Sequence, residues 1–281
     1  MFDAIIDGPG IPQLRNAIGI ISTVGNPAMV MMTAAGLSIQ ASDELGLAAE
    51  LRLNRAACVS CRFQPAVPEN NYECIFINLT PLRQFLEEEA TEEDRLLIVH
   101  NPLPIVDDQR EWLMVFLLNP AAANGRHVLL EAINDQLQVP SMMVDDTRYM
   151  VTGMTPSLRM RNIVQGLRYF FDGNGHRIDN LRPIGITLTA LMIRIRLNLA
   201  QSRGNFCMIG AKLPLAFDLP NLEAFINATR MSENVLIHAD PYRSPLLNCP
   251  FGNGLGNLFF FGNIIHSSIW WLSFYDFIII N

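Results

Sequence analysis

The chain carries one short pattern twice. Ile75-Phe76-Ile77-Asn78-Leu79-Thr80-Pro81-Leu82-Arg83-Gln84-Phe85-Leu86 is echoed by Leu215-Ala216-Phe217-Asp218-Leu219-Pro220-Asn221-Leu222-Glu223-Ala224-Phe225-Ile226. Each copy reads as a short apolar strand, an Asn or Asp, a Pro, and then a helix with Leu, Phe and Leu or Ile on one face. A second pair lies upstream in the same order: Ile11-Pro12-Gln13-Leu14-Arg15 against Thr155-Pro156-Ser157-Leu158-Arg159. Both pairs are spaced by about 140 positions. Two markers repeated in one order predict a duplicated domain. A duplicated strand–helix unit favours a ring or pseudo-symmetric shell over a single catalytic cleft.

The 281 residues leave room for two domains of ordinary size, each able to bury a core. Half the residues are hydrophobic and 17% are charged, which is the balance of a globular chain. The formal net charge of −7 argues against a uniformly basic nucleic-acid binder and leaves room for a local basic surface. Lys212 is the only lysine, so the basic residues are otherwise arginine. Guanidinium groups suit phosphate and carboxylate recognition, but a genome-wide codon bias gives the same composition. Five cysteines and an opening without a secretory pattern point to a reduced, intracellular compartment. Cys58-Val59-Ser60-Cys61 is a lone CxxC without a second pair or spaced histidines, which fits two cysteines facing the core or an adjacent strand better than a zinc site.

Along the chain, residues 2–7 read as a strand. Gly8-Pro9-Gly10 reads as a turn, followed by a helix with Ile11, Leu14, Ile18 and Ile21 at helical spacing. Met29–Thr33 and Leu37–Gln40 flank a hairpin at Ala34-Ala35-Gly36. Leu47–Leu53, Ala57–Phe63 and Tyr72–Asn78 are extended, Pro81–Glu88 is helical, and Leu96–His100, Glu111–Leu118 and His127–Ala132 complete a set of strands. The stretch 134–146 lacks periodicity and reads as a connector. Beyond it come a strand at Tyr149–Thr152 and a helix with Thr155 as N-cap and Pro156 as first residue. Ile193–Leu199 then alternates strictly, as a strand with one dry and one wet face does. Strands at Leu213–Phe217, Val235–Ala239, Leu246–Cys249 and Leu258–Ile265 surround a helix at Pro220–Arg230. The expected class is α+β: antiparallel sheet layers with two helices on one side in each of two domains, 1–133 and 147–265.

These residues resemble the DNA sliding-clamp family, which includes proliferating cell nuclear antigen. The resemblance is carried by Met1-Phe2-Asp3-Ala4 with its helix, the strand–helix at 213–230, and Asn234-Val235-Leu236-Ile237-His238-Ala239-Asp240. Ser244-Pro245-Leu246-Leu247 and Gly256-Asn257-Leu258-Phe259-Phe260-Phe261 extend it. It covers roughly residues 1–265. Within clamps, the order of Ala48–Phe63 and Tyr72–Leu86 is most similar to the Rad nine subunit of the DNA-damage checkpoint clamp. The resemblance implies two tandem clamp-type domains and a non-enzymatic nuclear subunit without a cofactor. That subunit encircles double-stranded DNA with two other clamp subunits, is loaded by an ATPase, and recruits repair or polymerase proteins. An unlike-subunit trimer is favoured over a homotrimeric replicative clamp.

The resemblance also implies sites. Arg15, Arg83, Arg159, Arg161, Arg168 and Arg230 on the helices would meet DNA, in contacts to phosphate that carry no sequence information. Gln165 would share a stripe with Arg161 and Arg168, whereas Glu223 stands where the repeat has Arg83. As bare residues, these arginines equally fit solvated helix faces. Ring closure would use His127 and Leu129 in the first domain and Ile193, Arg194, Ile195, Arg196 and Leu197 in the second. A partner pocket would be lined by Leu137, Val139 and Met142 of the connector with Pro245, Phe260 and Phe261.

Catalytic patterns are sparse. No P-loop occurs, and Gly252-Asn253-Gly254-Leu255-Gly256 reads as a loop before a strand. Asp107-Asp108 and Asp145-Asp146 keep a metal-dependent nuclease as an alternative, although adjacent loop carboxylates are usually solvated. The segment 266–281 is nearly uncharged, with Trp270-Trp271 and Ile278-Ile279-Ile280. It reads as a segment packing on the body, with a membrane anchor as the other reading.

Overall fold

The structure, a computed structural model, describes residues 1–43, 46–67, 69–101, 111–119, 121, 125–133, 151–162, 192–198, 203–209, 214–219, 222–240, 243–261 and 263–264. In the first half the order is β1 (Phe2–Ile6), α1 (Ile11–Val24), β2 (Ala28–Thr33), β3 (Gly36–Asp43), β4 (Gly46–Asn54), β5 (Ser60–Phe63), β6 (Tyr72–Ile77), α2 (Leu79–Glu88), β7 (Arg95–His100), β8 (Trp112–Leu118) and β9 (Arg126–Glu131). In the second it is β10 (Val151–Pro156), α3 (157–162), β11 (Met192–Asn198), β12 (Arg203–Ile209), β13 (Pro214–Leu219), α4 (Leu222–Ala228), β14 (Asn234–Asp240), β15 (Arg243–Phe251), β16 (Gly256–Phe261) and β17 (Asn263–Ile264). The class is α+β, and the ladders among the described residues are antiparallel.

Local chemistry explains the first elements. Pro12 sits in the first turn of α1, where its missing N–H costs nothing. Ile11, Leu14, Ile18 and Ile21 bury one stripe of that helix. Gly25 ends it against β3, where a Cβ would lie 2.3 Å from the Ser42 carbonyl oxygen. Gly36 closes the β2–β3 hairpin at a φ of +137°, a conformation that disfavours any side chain. The Asn78 side chain caps α2 by accepting from the Thr80 amide at 2.9 Å, and Asn26 accepts from the Leu79 amide at 3.0 Å.

Three sheets result. The first has the order β5-β1-β7-β8-β9, the second β10-β14-β15-β16-β4-β3-β2-β6, and the third β11-β12-β13-β17. In the first half, the strands after α2 run outward from β1 as β7, β8 and β9. In the second half, the strands after α4 run outward from β10 as β14, β15 and β16. The two successions match. They diverge elsewhere: β12 joins β13 directly, whereas β6 is joined by β2 from far upstream. The eight-stranded sheet is continuous across the two halves because β16 pairs with β4, from Gly256 opposite Leu53 to Phe260 opposite Ala49.

Alternation gives the first two sheets a dry face. β1, β7 and β8 bury every second residue, as in Leu113, Val115 and Leu117. These side chains, the inner face of the eight-stranded sheet, and α1, α2, α4 and Met160 of α3 form one core cluster. α1 packs against both α2 and α4. Phe225 of α4 meets Phe260 of β16 edge-to-face, with ring centroids 5.5 Å apart.

The structure shifts one expected boundary. Thr155 and Pro156 end strand β10 instead of opening a helix, and α3 begins at Ser157. The β10–β14 ladder runs on to Pro156 opposite Asn234, and the Ser157 amide donates to the Glu233 carbonyl at 2.9 Å. Strand pairing therefore outweighs the capping preference of Thr-Pro. The upstream motif pair is also out of register: Leu14 is buried, whereas Leu158 is 60% exposed and Met160 is the buried residue. β12 had no counterpart in the expected strands.

A buried ion pair holds β9 to the end of α2. Asp94 is fully buried and receives Arg126 Nη2 at 2.7 and 2.8 Å, together with the amide and hydroxyl of Thr91. Arg126 also donates to the Glu89 carbonyl at the helix end. Burial pushes the Asp94 carboxyl up, but the hydrogen bonds from Thr91 and Arg126 outweigh it and hold the group below the ordinary aspartate range. A depressed folded-state value contributes stability above the unfolded value near 3.9 and loses it as pH falls through the depressed value. Asp94→Asn is expected to cost about 2 kcal/mol at neutral pH, with the third of Arg126 left in solvent discounting the buried-pair figure. Urea unfolding should show that deficit shrinking on acidification toward about pH 2. A deficit independent of pH would refute the charge-based account.

Candidate nucleic-acid interface and assembly edge

The wet side of the helix layer brings several of the expected arginines onto one face. On α1, Arg15 is partly exposed beside Asn16, with Ser22 and Thr23 two turns on along the same side. On α3, Arg159 is exposed. Arg161 is only partly exposed, and its Nε is buried without a hydrogen-bond partner, so it is not a freely solvated contact. Arg230 is exposed in the turn after α4. Arg83 is half-exposed on α2 and is held by Glu87 one turn on, Nε to Oε1 at 2.7 Å. Arg168 and Gln165 lie outside the described residues. Against these arginines stand Glu87, Glu88 and Glu223, all exposed. The face retains a small positive excess in a chain of net charge −7, so its charge is distributed against the average.

The opposite face of the eight-stranded sheet is buried as well. Leu246, Phe259 and Phe261 form a separate cluster there. Residues paired across strands share a face, so Asn248, Phe259, Glu50 and Gln40 form one row, and Asn257, Arg52 and Ser38 the next. Glu50 is buried; Arg52 Nε reaches its Oε1 at 3.2 Å and lies over the Phe259 ring at 4.7 Å. Burial raises the Glu50 carboxyl above the ordinary range, and Arg52, Ser38 and Gln40 pull it back in part. A cavity of about 170 Å³ opens where β2 turns into β3, between Met31, Thr33, Leu37, Ser38, Glu50 and Arg52.

This corrects the expected partner pocket. Phe260 and Phe261 are adjacent in β16 and therefore point to opposite faces. Phe260 belongs to the helix-side core, so only Phe261 lies on the outer face. Pro245 lies in β15, and Leu137, Val139 and Met142 are outside the described residues. Ser38, Glu50 and Arg52 were not anticipated. Their sequence signal was weak: Ser38 and Gln40, with Glu50 and Arg52, are polar residues at strict alternation within otherwise apolar strands.

The third feature is the edge of β9. His127 and Leu129 are exposed, Leu129 by 48%, whereas Leu130 is buried. The outer ring of His127 packs on Phe116. Beside the edge runs a groove of about 590 Å³ lined by Asn78, Pro81, Trp112, Leu129, Ala132 and Ile133. Among the described residues β9 has one ladder partner, β8. β11 (with Ile193, Arg194, Ile195, Arg196 and Leu197) likewise has only β12 and ends its sheet.

The cysteine pair behaves as two packed thiols. Cys58 and Cys61 are free and rest against the core; burial pushes the Cys58 thiol up to about 11, with Cys61 adding to the shift. Among the described residues no three His, Cys, Asp or Glu side chains are grouped to hold a metal. No helix among them is long and apolar enough to cross a membrane. Asp107-Asp108, Asp145-Asp146 and the segment 266–281 lie outside the described residues. No protein-family model matches the chain, and none of the curated proteins matches it significantly.

The Glu50–Arg52 pair yields a directional test. Arg52→Ala strands a buried carboxylate and is expected to cost about 3 kcal/mol, whereas Glu50→Gln, which keeps the shape and removes the charge, should cost less than about 1 kcal/mol. Equal losses in urea unfolding would show that packing, not charge burial, governs this row.

Proposed function

We propose that the chain is a non-enzymatic subunit of a ring-shaped clamp that encircles duplex DNA. One observation carries this reading: the β1-β7-β8-β9 order recurs as β10-β14-β15-β16, with the helices of both halves joined in one core on a single side. A curved run of such units presents helices inward and sheets outward. The inward side would hold Arg15, Arg159 and Arg230 over the phosphates, while Arg83 is tempered by Glu87. Contacts of this kind position a protein on any sequence and weaken with salt. They suit a sliding partner better than a reader of base edges.

In this reading the outer face, with its cavity at the β2–β3 turn, takes repair, polymerase or checkpoint proteins, and a separate ATPase opens the ring around DNA in the nucleus. The sequence resemblance favours the checkpoint subunit, with a replicative processivity ring as the other form of the same class. Which form holds depends on what covers β9.

Encirclement has a topological signature. The loaded protein should stay on closed circular DNA and run off after linearisation. Arg15→Ala combined with Arg159→Ala should lower retention and reduce the salt-dependence slope by about 2, one for each guanidinium–phosphate pair removed. Unchanged retention in the double variant, or equal retention on linear DNA with free ends, would exclude a DNA-lined hole.

A further inference from the structure

We infer that the strand covering β9 is β11 of a second copy of this chain, so that the molecule assembles head-to-tail with itself. The inference rests on the ring reading and names the neighbour within it.

The chain contains its own template for closing such an edge. β16 holds the same place in its strand succession as β9 does, outermost after the second helix of its half. β16 is closed by antiparallel pairing to β4, the end strand of the β6-β2-β3-β4 run. β9 has no such strand among the described residues, although its groove and the exposed Leu129 leave room for one. An open, apolar edge is a template for a further strand.

The other open edges fit poorly. β5 spans 4 residues and β17 spans 2. The β6 edge is engaged where the Ile133 amide donates to the Phe76 carbonyl at 2.7 Å. β10 ends in Pro156, which cannot donate to a new ladder. β11 spans 7 residues against 6 for β9.

Its sequence also complements β9. The dry residues of β9 are Val128 and Leu130, and those of β11 by alternation are Ile193, Ile195 and Leu197. Antiparallel pairing of Val128 with Leu197 and Leu130 with Ile195 sets Glu131 opposite Arg194 and Leu129 opposite Arg196. Opposite charges then face each other on the wet side. Because β9 and β11 are different surfaces, each copy donates one and accepts one. The contact is heterologous, and its rotation closes into a ring.

Sedimentation velocity and light scattering on the full chain test this. The wild type should show a multiple of the 31.5 kDa chain mass that grows with concentration to a fixed plateau. Glu131→Arg, at an exposed position, should weaken association roughly tenfold through like-charge pairing, and Glu131→Arg with Arg194→Glu should restore it. Val128→Pro should abolish it, with circular dichroism confirming the fold. A monomer at every concentration, an oligomer indifferent to Glu131→Arg, or no recovery in the charge swap would overturn the inference. Retention on circular DNA by a chain that stays monomeric alone but assembles with unlike subunits would sink self-pairing and spare the clamp reading. A self-assembled ring that ignores DNA would do the reverse.

Discussion

The pairing of β16 with β4 is the contact on which the rest of the structure depends. It joins strands about 200 positions apart in sequence and makes one sheet of two halves. Ladder hydrogen bonds contribute modestly in net terms, so the join is held by what it buries. Leu51, Leu53, Leu258 and Phe260 meet beneath it, and Phe225 of α4 packs on Phe260. Truncating a fully buried Phe costs about 3–5 kcal/mol, a large share of the stability of a domain. Without this seam, α1 and α4 would have no common floor and the arginine-bearing helix faces no common orientation.

The two faces of that sheet do different work. The helix side is an apolar core. The other side is buried but polar in rows, with Glu50 compensated by Arg52 and Arg52 resting on Phe259. Such a row gains little stability over apolar packing, since desolvation offsets most of the attraction. Its physical consequence is selectivity: an occupant of the cavity at the β2–β3 turn meets fixed charges in set places. The Asp94–Arg126 pair has a different role, fixing the start of β9 against α2 and so pre-forming an edge that would otherwise fray.

Much of the architecture is legible along the chain. Alternation in β7 and β8 and the apolar stripe of α1 require no partner to be seen, because each period reports one face turned inward. The repeated strand–Asx–Pro–helix unit marks β6–α2 and β13–α4 for the same reason. The boundary at Thr155-Pro156 is not legible, because a local capping signal is overruled by pairing with β14, whose residues lie some 80 positions away. The expected pocket fails because Phe260 and Phe261 are adjacent in sequence, yet a strand separates neighbours to opposite faces.

What the sequence determined alone was the set of elements, their dry faces, and a surplus of arginine over lysine, since these follow from short-range periodicity and side-chain chemistry. What only the tertiary structure decided was which edges meet. Strand order depends on contacts between distant segments, and no local pattern distinguishes a strand that will be covered from one that will stay open. The β16–β4 seam, the buried row on the outer face and the open edge of β9 all arise at that level.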